Sequence, residues 1–173
     1  MEFFTRETHT RIYQTWIYVR IKDSIAVVVG RGMGSEIYIG VRDIAFEAMH
    51  ITEGFLDIDL IPHGHTYKLS VEVAGNMGEK GYIVDLRELE RIAREIAGEL
   101  DRSLIIPRDM ELSNNIYKIF NKIVRCDKGN PTLENIALMI AEKIYSRIKD
   151  RGSRVKVTLC EGASYFCTVI YPK

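Results

Sequence analysis

The sequence predicts an α+β domain, a four-stranded antiparallel sheet with two helices on one face and extra strands ahead of it. Three observations carry that prediction. Ile, Val, Tyr and Thr crowd residues 11–21, 25–30 and 35–46, two helical stripes occupy 85–100 and 131–148, and an alternating pair of segments closes the chain. A chain of 173 residues, 46% of them hydrophobic, can bury one sizeable core and is short for two ordinary domains. Residues 1–173 are therefore read as a single domain.

Within residues 1–43, Lys22-Asp23-Ser24 and the glycines Gly30, Gly32 and Gly34 punctuate β-rich runs, which marks additional N-terminal strands. The Gly30–Ser35 stretch leads into another β-branched run and not into a helix, so it reads as a turn and not as a phosphate cradle. Tyr13, Trp16 and Tyr18 give one strand an aromatic face suited to a sheet edge or a subunit interface, and His9 has no ligand-type neighbour. In residues 65–74, Leu69, Val71 and Val73 alternate with Lys68, Ser70 and Glu72, and the same period extended backwards places Tyr67, His65 and His63 on the apolar side. Asp85 caps a helix running to about Leu100, with Glu88 at capping-box spacing and Leu86, Leu89, Ile92, Ala93, Ile96, Ala97 and Leu100 on one face.

Residues 103–129 are less regular and are read as a surface insertion with a helical piece around 115–124. Asn130-Pro131 predicts a helix start, Asn130 as cap and Pro131 in the first position, followed by the stripe Leu133, Ile136, Ala137, Ile140, Ile144 and Ile148. Val155, Val157 and Leu159 then alternate with Arg154, Lys156 and Thr158, and a last run, 165–171, completes a hairpin across Gly162.

Composition excludes several functions. Lys plus Arg and Asp plus Glu both number 24, so the chain lacks the basic field of a non-specific nucleic-acid binder, and a small-molecule substrate is expected. No apolar stretch is long enough for a bilayer and the amino terminus lacks a signal-type apolar region, which predicts a cytoplasmic protein. Cys126, Cys160 and Cys167 form no CxxC pair and are expected to be reduced, packed thiols. A sheet of this kind has free edges, which predicts a homo-oligomer.

The chemistry concentrates in two places. Three of the four histidines, His50, His63 and His65, lie between residues 50 and 65. Strand residues two apart point the same way, so His63 and His65 can offer two imidazoles to one ion, with His50 as the third at the end of the preceding strand. Three imidazoles leave the fourth position of a tetrahedral zinc open, as in a catalytic site, although HxH alone is equally compatible with ordinary histidines near a turn. Glu161 falls in line with Val155, Val157 and Leu159, which puts a carboxylate at the end of an apolar face unless the strand stops at Cys160. Buried there, it needs donors, and a ring presenting two adjacent N–H groups would supply them.

Six short words occur in order: Phe46–His50 (FEAMH), His63–Tyr67 (HGHTY), Gly81–Leu86 (GYIVDL), Leu100-Asp101, Asn130–Ala137 (NPTLENIA) and Cys160–Gly162 (CEG). Together they resemble the signature of the 6-pyruvoyltetrahydropterin synthase and 6-carboxytetrahydropterin synthase family. The resemblance implies the tunnelling fold, assembled as trimers that stack into a hexamer, with Zn2+ on His50, His63 and His65. It also implies a pterin ring anchored by Glu161, with Thr132 and Glu134 near the pocket.

The pattern departs from the family at two points. The segment before His63 has no cysteine to act as base, the position four before His63 being Asp59, and the family's Asp-His pair reads Asp101-Arg102. Arginine stays protonated and cannot serve as a base at neutral pH. Asp59 and Asp101 are therefore the candidate catalytic residues, with Asp57 and Glu53 as other carboxylates of the same loop. Three functions follow: a lyase acting on 7,8-dihydroneopterin triphosphate or a related dihydropterin, an aldolase-like side-chain cleavage with Asp59 as base, or a homologue that binds pterin or metal without turnover.

Overall fold

The computed structural model describes residues 19–21, 24–26, 36–54, 56–149 and 152–173. The chain divides into two compact units, Met1–Glu36 and Ile37–Lys173. In the first, β1 (Val19–Ile21) pairs antiparallel with β2 (Ser24–Ala26). The expectations for His9, Tyr13, Trp16, Tyr18 and the glycine cluster fall outside the described residues.

The second unit contains a six-stranded mixed sheet. Four adjacent strands form the expected antiparallel set: β3 (Tyr38–His50), β4 (His63–Ala74), β7 (Arg154–Glu161) and β8 (Tyr165–Tyr171). A register shift between Val41 and Ile44, with Asp43 at φ 62, interrupts the β3–β4 ladder before it resumes towards His50. Gly162, at φ 61, makes the turn of the last hairpin.

Two long helices cover one face. In α1 (Leu86–Leu100) the Asp85 carboxylate accepts the Arg87 N–H as predicted, and Leu89, Ile92, Ala93, Ile96, Ala97 and Leu100 are buried, whereas Leu86 is exposed. The short α2 (Asn114–Ile119) precedes the second long helix, α3 (Leu133–Ile148), which buries Ile136, Ala137, Ile140, Ile144 and Ile148. Both long helices pack on Ile44, Phe46, Leu69, Val71, Val157 and Leu159 in one continuous core. Each such side chain contributes roughly 1.5–3 kcal/mol on burial.

The stretch 103–129 is not a surface excursion. It contributes β5 (Ser103–Pro107), parallel to β3, and β6 (Ile123–Cys126), parallel to β5, so the sheet order is β6-β5-β3-β4-β7-β8. Every residue of β5 is buried: Ile105 joins the main core, while Leu104 and Ile106 pack on the other side with Ile51 and with Ile116 of α2. A parallel strand covered on both faces has no polar alternation to reveal it.

Asn130 does not cap the following helix. The cap is Thr132, whose Oγ1 accepts the Asn135 N–H, and Pro131 lies outside the helix with its carbonyl turned to His50. No helix among the described residues is long and apolar enough to cross a membrane.

Candidate active site

The site is built by register. At the shared end of β3 and β4, His50 pairs with His63, Ala48 with His65 and Phe46 with Tyr67, and in the next ladder Tyr67 faces Glu161. Cross-strand partners project from the same face, so His50, His63, His65, Tyr67 and Glu161 converge on the side that carries the core. The Phe46 and Tyr67 rings stack at 5.0 Å beneath them.

The three imidazoles cluster as the spacing predicts. Ring centroids lie 4.4 Å apart for His50 and His63 and 5.1 Å for each of the other two pairs, and one nitrogen from each ring falls within 4.8 Å of the others. Two nitrogens held about 2.1 Å from one ion are at most roughly 4.2 Å apart, so small ring rotations bring these donors onto a common ion.

Hydrogen bonding fixes which nitrogen is available. His50 Nδ1 lies 2.9 Å from the Pro131 carbonyl and His63 Nδ1 lies 2.9 Å from the Ile61 carbonyl. A carbonyl only accepts, so both rings donate from Nδ1, which leaves Nε2 as the nitrogen available to an ion. The Nε2 atoms of His50 and His65 are buried without a hydrogen-bond partner. His50 thus combines an unpartnered Nε2 with an outer carbonyl on Nδ1, the arrangement that suits a metal-ligating imidazole. Burial, then the neighbouring His63 and His65, push the His50 pKa down, against the opposing pull of the Pro131 carbonyl and Glu161. The neutral ring so favoured is the metal-binding form.

Glu161 stands where the alternation predicts. Its side chain is 14% exposed, and Oε1 lies 2.7 Å from His65 Nε2 and 3.6 Å from His50 Nε2. The nearer approach is close but not aligned as a ring N–H hydrogen bond. The strand reaches Glu161 and does not stop at Cys160.

The remaining candidates have structural partners. Asp59, in a 3-10 turn over Asp57–Leu60, accepts the Leu56 N–H with Oδ2 at 3.1 Å. Asp101, just past the end of α1, accepts the Glu47 N–H at 2.9 Å and so clasps the helix to β3. Arg102, at φ 56, extends its side chain into solvent. Thr132 is the α3 cap, and Glu134 is exposed in the first turn of that helix. Glu53 binds Asn130 through its main chain.

Two features are not evident from the sequence. Tyr67 lies on the apolar side, as the alternation predicts, yet its buried hydroxyl has no partner, and burial followed by the charge of Glu161 drives its pKa upward. The available signal is its position in the same period-two line as the histidines. The second is Asn130, whose side chain reaches across the chain to Glu53 rather than to its own helix.

Known proteins share this arrangement of elements. A family model described as 6-pyruvoyl tetrahydropterin synthase matches residues 39–171. A 6-carboxy-5,6,7,8-tetrahydropterin synthase of Rickettsia bellii is 34% identical over 110 residues, 62% of this chain and 80% of that one. A dihydroneopterin monophosphate aldolase of Pyrococcus furiosus is 32% identical over 103 residues, 60% of this chain and 73% of the relative. The crystal structure of 6-pyruvoyl tetrahydropterin synthase from Plasmodium vivax shares the fold with a TM-score of 0.65 at 23% identity, covering 79% of this chain and 98% of that chain.

Proposed function

Since the chain belongs to the 6-pyruvoyl tetrahydropterin synthase family, we propose that it is a zinc-dependent lyase acting on the side chain of 7,8-dihydroneopterin triphosphate or a related dihydropterin. The observation that carries this reading is the convergence of His50, His63 and His65 with their donor nitrogens inside 4.8 Å, beside the mostly buried carboxylate of Glu161. Zinc held there supplies a Lewis acid that makes a side-chain hydroxyl easier to deprotonate and stabilises developing negative charge on oxygen.

The protein's own groups divide the remaining work. Glu161 accepts two parallel hydrogen bonds from the adjacent N–H groups of the amino-pyrimidinone ring, which fixes the ring and satisfies a carboxylate otherwise short of donors. Tyr67, held neutral by burial, can donate a hydrogen bond but cannot abstract a proton at neutral pH. The Pro131 and Ile61 carbonyls keep His50 and His63 in the tautomer that faces the ion. Exposed Tyr165, Phe166 and Ile170 on the edge strand β8 are surface that a trimer or hexamer would cover.

A second reading is favoured by the base. Between His50 and His63 there is no cysteine, only the carboxylates Glu53, Asp57 and Asp59, and one relative is named an aldolase. Here Asp59 takes the proton of a side-chain hydroxyl, the neighbouring carbon–carbon bond breaks as the carbonyl forms, and the electron pair on the ring-attached carbon is then protonated.

Incubation with dihydroneopterin, its monophosphate and its triphosphate, before and after chelation, tests both readings when the products are identified by mass. Loss of triphosphate from the third substrate supports the first, and release of a two-carbon aldehyde fragment supports the second. Tight binding of zinc and pterin without any product would overturn both and leave a binding homologue.

A further inference from the structure

We propose that Asn130 is a positioning residue for the metal centre: its side-chain amide fixes the chain segment on which His50 stands and, through Pro131, the carbonyl that sets the tautomer of that ring. The proposal rests on the three-histidine metal reading.

Two hydrogen bonds join Asn130 to a single residue. Its Oδ1 accepts the Glu53 N–H at 2.9 Å, and its Nδ2 donates to the Glu53 carbonyl at 2.6 Å. The side-chain amide thus pairs with the main chain of Glu53 as a neighbouring strand would, and fastens the far end of the segment whose Ile51 and Thr52 N–H groups donate to the Ile105 and Asp59 carbonyls. Asn130 is itself held. Its own carbonyl accepts from the Thr132 N–H at 2.8 Å and from Asn135 Nδ2 at 2.9 Å, which locks it to the first turn of α3.

The next residue closes the circuit. Pro131 is buried, its φ is restricted by the ring, and its carbonyl accepts the His50 Nδ1–H at 2.9 Å. The path from His50 through residues 51–53 to Asn130, then through Pro131 back to the His50 ring, is a closed loop fastened by three hydrogen bonds. The same side chain therefore braces both the segment that leaves His50 and the acceptor behind its ring, in addition to the ladder pairings of His50 with His63 and Ile105. Because that acceptor is a main-chain carbonyl, no substitution of Pro131 deletes it, and Asn130 is the side chain through which its position can be altered.

Only asparagine meets the geometry. Aspartate retains the acceptor for the Glu53 N–H, loses the donor and sets a charge against the Glu53 carbonyl. Glutamine displaces the amide by one methylene, and alanine removes both bonds. Loosening an outer support of a metal ligand weakens metal affinity by roughly 10- to 100-fold.

The test uses the full chain and zinc alone. Zinc affinity is measured by competition with a chromogenic chelator, and the ligand field is read from the visible spectrum of the cobalt(II)-substituted protein. Asn130→Ala should weaken zinc by about 10- to 100-fold and shift the cobalt bands, with Asn130→Asp recovering part of the loss. Asp85→Ala, which removes a helix cap that does not touch residues 50–53, should lower thermal stability and leave zinc affinity and the cobalt bands unchanged. If Asn130→Ala does not fold, the intermediate loss expected of Asn130→Asp carries the test. Wild-type affinity in Asn130→Ala, or an equal loss in Asp85→Ala, overturns the proposal while the metal centre stands. A wild-type chain that binds no zinc overturns the metal centre and this proposal with it.

Discussion

Along β4, residues 69, 71 and 73 are Leu, Val and Val, whereas residues 63, 65 and 67, on the same face of the same strand, are His, His and Tyr. The two halves differ in what they meet. Leu69, Val71 and Val73 are wholly buried in the core beneath α1 and α3, while His63 and His65 at the other end keep partial access to solvent. The apolar half is buried without any polar atom to satisfy. The histidine end leaves the Tyr67 hydroxyl and the neighbouring Nε2 of His50 on β3 without hydrogen-bond partners, each orphan costing roughly 1–3 kcal/mol, and sets His65 Nε2 2.7 Å from the Glu161 carboxylate. One pleat thus serves two ends: it aligns the core residues that stabilise the fold, and by the same period of two it aligns ligands that the fold alone does not need.

The sharpest way to break this comparison is to exchange the roles of the halves. Leu69→Ala opens a cavity at a fully buried position and should destabilise the protein by about 2–5 kcal/mol in denaturant titration, while the folded fraction still binds one zinc. His65→Ala should do the reverse. Loss of a direct ligand should weaken zinc by more than the roughly 10- to 100-fold expected of an outer support, as measured by chelator competition. Apo stability should change less than in Leu69→Ala, because the partly exposed His65 ring lies outside the core, although its removal leaves the Glu161 carboxylate without its 2.7 Å neighbour. If His65→Ala unfolds the apo protein, or Leu69→Ala abolishes zinc binding by folded molecules, the two halves are not separable and the division of labour is wrong.

The sequence exposes this division unevenly. Period-two alternation discloses β4 and β7, and with them the placement of His63, His65 and Glu161 on the core side, because one face of each strand is polar. Helical spacing discloses α1 and α3, since each has one buried stripe. β5 stays hidden because Ser103–Pro107 is covered on both faces and shows no alternation, so a sheet strand resembles a surface insertion. Asn130 misleads for a different reason. Asn before Pro is a good helix start on local grounds, and the partner that redirects it, Glu53, lies 77 residues away. Local rules recover elements whose environment is one-sided and miss residues whose role is set by a distant contact.

The smallest expected effect concerns the cover over the apolar half. Asp85 opens α1, and hydrogen bonds from the Arg87 side chain, then from its main-chain N–H, lower the Asp85 pKa to about 2. A carboxyl whose folded pKa lies below its unfolded value stabilises the native state above the unfolded pKa, and this contribution is lost as pH falls through the folded one. For Asp85 the window runs from the ordinary value of 3.8 down to about 2. Asp85→Asn keeps an acceptor for the Arg87 N–H and removes the charge, so it separates the cap from the ion pair. Thermal melts from about pH 6 to about pH 2 should show the wild-type advantage over Asp85→Asn constant at the upper end and shrinking below about pH 4. Parallel curves across the whole range would mean that the Arg87 pairing contributes nothing to the hold of α1 on the core, and that the apolar half depends on packing alone.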